Sequence, residues 1–557
     1  MMAYLTKTKG GQPVLILKEG ASRSRGAEAR RNNIMAARVI AEAVRSTLGP
    51  RGMDKMLVSS IGDTTITNDG AAILDEIDVE HPAAKMMVEV AKTQDDMVGD
   101  GTTTAVVLSG ELLKRGEELL EQNIHPTVVV SGYRKASQKA LNVLEKICIT
   151  VDLDDKKTLK KVATTSMGSK AVGTAREHFA DIVIEAVKQV AEKRGDRWIA
   201  DIDNIQIIKK EGKSLSDTEL VRGIILDKEV VHAGMPKQVK NAKIALVDAA
   251  LEVKKTEFDA TIRIQDPSKM KAFLDQETNM LKKMVDTIAK KGANVVICQK
   301  GIDDMAQHFL AKKAILAIRR AKQSDMEKLS RATGGRITTN IDDLDPQDLG
   351  YAKLVEERKI GDDKMVFIEG CKDPKSVSIL IHAGLERMVD EAERAMHDAL
   401  SVVADIFEKN KVVAGGGAAE AAVAKELRDY ATKIGGREQL AVEAFAESME
   451  IVPKTLAENA GLEKIDVLVE LRAAHEKPRG HFMGVDVFTG KIVNMHKKGI
   501  IEPLSVKEQV VKSAVESTSM ILRIDDVISG GKTEAPPTPP GGPGGMPGGY
   551  GGMPPGY

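Results

Sequence analysis

Hydrophobic positions recur with two different periods along this chain, and the switch between them divides it into three stretches. Up to about Val151 the spacing is helical. Ile34, Ala37, Val39, Ile40, Val44 and Leu48 share one face of an amphipathic helix predicted over residues 30–48, which Gly49 and Pro50 stop. Residues 56–66 alternate like a hairpin, with Gly62-Asp63 as its turn. After His81-Pro82 an Ala- and Met-rich helix leads to Gly99-Asp100-Gly101, and residues 102–120 are predicted as another long helix.

The period changes from about residue 221 to residue 370. Short β-branched runs at 243–247 and 294–297, a helical stretch at 303–313 and an apolar run at 314–318 have βαβ spacing, which implies an α/β domain. Within it, Ile262 and Ile264 precede the helix-start signal Asp266-Pro267-Ser268. Met270, Phe273, Leu274, Leu281, Met284, Val285 and Ile288 then recur at helical spacing. Two readings stay open for this stretch: a core-facing helix, or a protruding arm whose apolar face meets other chains. Helices return with a long, charged, periodic segment at 385–410 and continue to about residue 527. The end, 536–557, is almost all Gly and Pro and is expected to be disordered. No repeat of solenoid length is visible.

Composition narrows the classes. A chain of 557 residues implies about three or four folded units at roughly 150 residues each. Its 81 Lys and Arg balance 82 Asp and Glu, so no overall positive field exists to hold nucleic acid or an anionic membrane. Cys148, Cys298 and Cys371 are far apart with no CxxC pair, which argues against a disulfide framework or a zinc site and for a reducing compartment. No apolar run approaches the ~18 residues that span a bilayer, and the first eleven residues lack the apolar core of a signal segment. A soluble, cytoplasmic protein is expected.

The chain has no GxxxxGK[ST] element, and its only GxGxxG-like spacing falls in the Gly/Pro tail, which excludes an ordinary P-loop or Rossmann site. Gly99-Asp100-Gly101-Thr102-Thr103-Thr104 offers a different phosphate cradle. Its glycines admit backbone close to phosphate oxygens, the following helix start supplies unpaired N–H groups, and Asp100 can hold magnesium. The competing reading is a turn with a Thr N-cap. Leu48-Gly49-Pro50 is a tight turn where backbone can lie against a nucleotide, or merely a helix stop. Gly415-Gly416-Gly417 brings bare backbone to another helix start, and Asn68-Asp69-Gly70 closes the hairpin with a carboxylate that is otherwise an Asx turn. Phosphoryl transfer to water also needs a group that positions the water. Asp398 is the candidate, against the reading of a solvated mid-helix charge; His397 points elsewhere on the helix and forms no dyad with it.

These segments in this order resemble the group II chaperonins, and among them the archaeal thermosome subunits. The resemblance is carried by Thr47 to Met56, Thr65 to Gly70, Val98 to Thr104, Gln122 to Pro126, Glu393 to Leu400, Val412 to Gly417, Asp486 to Gly490 and Ile501 to Leu504. It implies a multidomain chaperonin fold: a mostly α equatorial domain (1–151 and 407–529), a mixed α/β intermediate domain (152–221 and 375–406), and an α/β apical domain (222–374) with a helical lid protrusion at about 255–290, ahead of a disordered tail (530–557). It implies that Leu48, Gly49 and Pro50 line the nucleotide, that Asp100 binds magnesium, and that Gly101, Thr102, Thr103 and Thr104 hold phosphates. Gly415, Gly416 and Glu502 then belong to the nucleotide site, with Gly416 and Glu502 on the base and ribose side, Lys161 senses the γ-phosphate, and Asp69 and Asp398 are the hydrolytic carboxylates.

The function so implied is an ATP- and magnesium-dependent chaperone subunit. Its partners would be other subunits of a homo- or hetero-oligomeric double ring and non-native client proteins, with no nucleic acid and no membrane. The strand 13–17, a C-terminal strand at 521–527 and the hairpin around Gly62 would pair across subunits. Two rivals predict differently: a catalytically dead scaffold would lack ATPase activity, and a nucleotide-dependent metabolic enzyme would be a monomer or small oligomer.

Overall fold

The computed structural model describes residues 3–7, 13–17, 22–195, 197–253, 267–361, 363–371 and 375–529. The predicted tail, and Ile262 and Ile264 at the start of the predicted arm, lie outside the described residues.

The described residues fall into two compact units, those up to 32 with 524–529 and those between 33 and 523. In the smaller unit, Ala3–Lys7 pairs antiparallel with Pro13–Leu17, and Ser22–Arg25 pairs antiparallel with Asp526–Ser529. Arg23 Nε donates to Asp526 Oδ1 at 2.9 Å across the second pair. The strand expected at 521–527 is therefore displaced. Ile521 and Leu522 are the fully buried end of the helix Leu504–Leu522, and the strand begins only at Asp526. Their apolarity continues the buried helical face of Val511, Ala514 and Val515, so tertiary packing overrides the β propensity of Ile521.

The larger unit contains several apolar cores. One gathers helices from both ends of the sequence: Pro82–Val98, Thr102–Glu121, Pro126–Ile147, Ala418–Ile434, Gly436–Met449 and Leu504–Leu522. At its centre Tyr133 meets Phe445 edge-on at 5.7 Å and donates its hydroxyl to the Leu112 carbonyl at 2.9 Å, so the one polar atom of this large buried ring is satisfied. A second core packs the helices Lys156–Ser166, Arg176–Val190 and Glu386–Lys409 with a three-stranded sheet in which Val377–Ala383 lies between Glu219–Val221 and Ile205–Glu211. Where the chain passes between these cores, Lys411–Ala414 pairs antiparallel with both Ile149–Thr150 and Ile501–Pro503.

Residues 223–371 build the predicted α/β layer. Gln238–Val247, Val295–Cys298 and Leu316–Ile318 run parallel, joined through helices as the βαβ spacing requires. Alternation sorts their side chains by face. Ile244 and Leu246 pack with the helix Gln323–Thr333, whereas Ala245 and Val247 pack with Asp304–Lys312 and Pro267–Lys290.

Along the 267–290 helix Leu281, Val285 and Ile288 are core, as the core-facing reading expects, while Phe273, Leu274 and Met280 are exposed. The hairpin Lys55–Val58 with Thr64–Thr67 forms as expected and exposes Met56, Val58 and Ile61. Among the described residues no helix is long and apolar enough to cross a membrane.

Candidate functional site

A cavity of about 370 Å³ opens in the larger unit where segments distant in sequence converge. That volume is in the range of small-molecule sites.

Its floor is the corner between two helices. Pro82–Val98 ends at Gly99 and Thr102–Glu121 begins after Gly101, both glycines being left-handed, with φ of 63° and 77°. The N-cap of the second helix is thus Gly101, which brings no capping side chain, so the Thr-capped turn is not what forms. The first N–H groups of the helix have no intrahelical acceptor and stand at the cavity with the buried Thr102, Thr103 and Thr104. A Cβ on Gly101 would come within 2.9 Å of Val506 Cγ1, so both the turn and the packing behind it require glycine. Asp100 completes the floor, its Oδ1 accepting from the Gly101 N–H at 2.6 Å. Desolvation pushes its carboxyl up despite that bond and the nearby Lys170 and Lys507.

One wall holds a lysine between two carboxylates. Asn68-Asp69-Gly70 does not close the hairpin, whose turn lies at Gly62; Asp69 instead caps the helix Gly70–Glu76, accepting from the Ala72 N–H at 2.9 Å. Lys170, buried in the segment after Lys156–Ser166, reaches Asp69 Oδ1 at 3.1 Å and Asp398 Oδ2 at 3.0 Å. Asp398 is no solvated charge: it is 7% exposed, because its face of the helix Glu386–Lys409 continues through the core residues Ala395 and Val402. The two carboxyls are driven apart. For Asp69, burial is outweighed by Lys170, the Ala72 N–H and Arg394, which hold it below the usual carboxylate range. For Asp398, burial and the charges of Asp69 and Asp100 outweigh Lys170 and hold it well above that range. Burial disfavours the Lys170 ammonium, but Asp398, Asp69 and Glu391 raise it beyond its ordinary value.

The opposite wall is more apolar. Leu48, Val452, Leu456, Val485 and Val487 face the cavity beside Gly49, Pro50 and Gly416. Glu502 and Lys507 stand next to them, and Lys507 Nζ lies 2.5 Å from Glu502 Oε2 and 2.8 Å from Glu420 Oε1. Burial pushes the Glu502 carboxyl up, Lys507 opposes it and Glu420 adds to it.

Of the predicted site residues, Leu48, Gly49, Pro50, Asp69, Asp100, Gly101 to Thr104, Asp398, Gly416 and Glu502 meet on this one cavity. Gly415 and Lys161 do not line it. Gly415 lies behind Glu502, and the Lys161 stem rests against Gly499. Sequence reasoning missed Lys170, Glu420, Lys507 and Arg176, the last of which lines the cavity with one Nη donating to the Gly168 carbonyl at 3.3 Å. A signal for two of them existed. Lys507 shares a helical face with Val510, Val511 and Ala514, and Glu420 with Val423, Ala424 and Leu427, all buried. A charge on a core-facing stripe is seldom a solvated one.

A helix start offering N–H groups, one carboxylate beside it and an apolar wall opposite form a set that fits a nucleoside polyphosphate. The TCP-1/cpn60 chaperonin family model matches residues 40–532. The chain belongs to this chaperonin family. It is 61% identical over 530 residues to a thermosome subunit beta of Sulfurisphaera tokodaii, covering 95% of this chain and 96% of that protein. A thermosome subunit alpha of Archaeoglobus fulgidus is 60% identical over 538 residues, covering 97% and 98%. A thermosome subunit of Methanopyrus kandleri is 61% identical over 519 residues, covering 93% and 95%. Across this chaperonin chain, no group of three His, Cys, Asp or Glu among the described residues is disposed to hold a metal ion unaided. A magnesium ion at Asp100 would share its coordination with substrate phosphates, as such ions commonly do.

Proposed function

We propose that the cavity binds ATP with magnesium and hydrolyses it, and that this chaperonin subunit uses hydrolysis to close a double ring around a non-native protein. The observation that carries the reading is the Asp69–Lys170–Asp398 cluster facing the open helix start at Gly101. The N–H groups of residues 102–104 and the threonine hydroxyls hold phosphate oxygens. Asp100 holds magnesium, which supplies neutralisation of phosphate charge. Leu48, Gly49, Pro50 and Gly416 bound the base and sugar, and Glu502 accepts a sugar hydroxyl.

Asp398, the more basic of the two hydrolytic carboxyls, takes a proton from the attacking water. As the water oxygen bonds to the γ-phosphorus, the bond to the β–γ bridging oxygen breaks and ADP leaves. Asp69 keeps its charge and holds Lys170, which in this reading, rather than Lys161, meets the γ-phosphate. The domain division at 151, 221, 374 and 406 belongs to the same proposal. Asp398 and Lys170 are on the intermediate domain and Asp69 and Asp100 on the equatorial domain, so closing that joint and hydrolysis are one event.

Asp398→Ala is expected to bind ATP normally and to lower single-turnover hydrolysis by roughly 10²- to 10⁴-fold; unchanged turnover would remove Asp398 from the reaction. Asp100→Ala is expected to weaken magnesium-dependent nucleotide binding. Negative-stain images should show two stacked rings of subunits in the cytoplasmic fraction, and a monomeric particle would leave the chaperone reading without support.

A further inference from the structure

The Glu420–Lys507–Glu502 cluster is not accounted for by hydrolysis. Its lysine ammonium lies within ion-pairing distance of two carboxylates that come from different elements: Glu420 from Ala418–Ile434 and Glu502 from Ile501–Pro503. The Glu420 and Lys507 side chains are 4% and 7% exposed, which is far more burial than a surface ion pair has. Glu420 accepts no conventional hydrogen bond, so Lys507 is what compensates it.

The geometry is directional. Glu420 lies behind the cavity wall, in a small void lined also by Thr104, Leu108, Met449 and Val511, whereas Glu502 faces the cavity itself and Lys507 borders both. Lys507 binds Glu502 through Oε2. The other oxygen, Oε1, is packed so closely on Gly415 that a Cβ there would come within 2.7 Å of it. One oxygen is therefore tied by the ammonium and the carboxylate plane is pinned between Lys507 and bare backbone. A carboxylate so held presents a fixed acceptor to a ligand hydroxyl, and an acceptor that does not have to be ordered on binding loses less of its hydrogen-bond energy.

We propose that Lys507, anchored on Glu420, is a positioning residue that fixes the Glu502 carboxylate as acceptor for a ribose hydroxyl and so makes the site select ribonucleotides over deoxyribonucleotides. The inference rests on the reading of the cavity as a nucleotide site, with Glu502 at the sugar. Lys507 touches no reacting atom. Its effect appears in binding and in sugar selection, whereas the Lys170 cluster governs the hydrolytic step.

The test uses the assembled full-length protein and compares dissociation constants for ATP, 2′-deoxy-ATP and 3′-deoxy-ATP by titration calorimetry. Wild type is expected to bind one deoxy analogue about 10- to 100-fold more weakly than ATP, the range for a hydrogen bond to a charged group. Lys507→Met is expected to bring that ratio near one. Because this variant leaves two carboxylates buried together, the double variant Glu420→Gln/Lys507→Met provides the second arm. It removes one charge along with the lysine and is expected to lose sugar selection in the same way, with a cooperative melt retained. A folded variant that still discriminates as wild type does would overturn the proposal. A wild type that binds all three nucleotides equally would instead overturn the placement of Glu502 at the sugar.

Discussion

Two buried lysines face the cavity, each between two carboxylates, and they are assembled differently. Lys170 joins Asp69, which caps a helix of the first core, to Asp398, which belongs to a long helix of the second. Lys507 joins Glu502, just before its own helix, to Glu420 on a neighbouring helix beside the Gly415–Gly417 turn. The first cluster bridges two cores; the second belongs to the corner beside the Gly415–Gly417 turn, which the proposed function gives to the sugar. The same chemistry is thus suited to different tasks. In the proposed function a cluster that bridges two cores responds to closure, and one that does not keeps its binding geometry. In both, charge is kept in a low-dielectric place only because the lysine is there, so removing a single partner leaves an uncompensated charge.

The difference can be broken most severely at Lys170. Lys170→Met leaves Asp69 and Asp398 facing each other without a cation. It is expected to cost about 3–5 kcal/mol of stability and to abolish measurable hydrolysis. Denaturant melts and single-turnover assays read the two effects, and a variant with normal turnover would show that the cluster is structural only.

Next in size is the pH response. Because Asp398 is held above the usual carboxylate range, the acidic limb of the single-turnover rate should lie above that range, rising as Asp398 loses its proton. Asp69→Asn removes a negative neighbour and leaves Lys170 to Asp398 alone. The limb of its residual activity should therefore move to lower pH, and an unmoved limb would mean that another group sets it.

A smaller effect concerns stability. A carboxyl whose folded value is raised binds more protons folded than unfolded, so it withdraws stability as pH climbs from the ordinary Asp value of about 4 to the folded one. Asp398→Asn escapes that loss. Its melting temperature should gain on wild type through this window and level off above it. Asp69 has the opposite sign, its contribution being present above the ordinary Asp value and lost as pH falls through its lowered folded value.

Smallest is Glu420→Gln, which keeps Lys507 on Glu502. A few-fold rise in KM with kcat unchanged is expected, and a fall in kcat of the size seen for Asp398→Ala would erase the distinction between the clusters.

How far each feature could be read from the sequence follows from its range along the chain. The helix start at Gly101 was legible because glycine, carboxylate and threonines are adjacent and act on backbone that they themselves shape. The βαβ layer was legible because period-2 and period-3.6 stretches alternate within it. The strand expected at 521–527 starts only at Asp526, because Ile521, a β-former by type, and Leu522 complete the buried face of a helix. Lys161 and Lys170 both sit in a polar stretch, and nothing local says which one turns inward.

The residues by themselves determined the elements, the Gly99–Thr104 corner, the membership in a family recognisable from scattered short segments, and which carboxylates were worth watching. Only the tertiary structure decided that Lys170 stands between Asp69 and Asp398, that Lys507 stands between Glu420 and Glu502, and that Gly415 supports the wall without lining it. The physical reason is that pattern along a chain reports which face of an element is apolar, whereas ionisation and hydrogen bonding depend on what comes within about 3 Å of an atom. For these charges the partners lie on other segments, and the fold alone brings them to that distance.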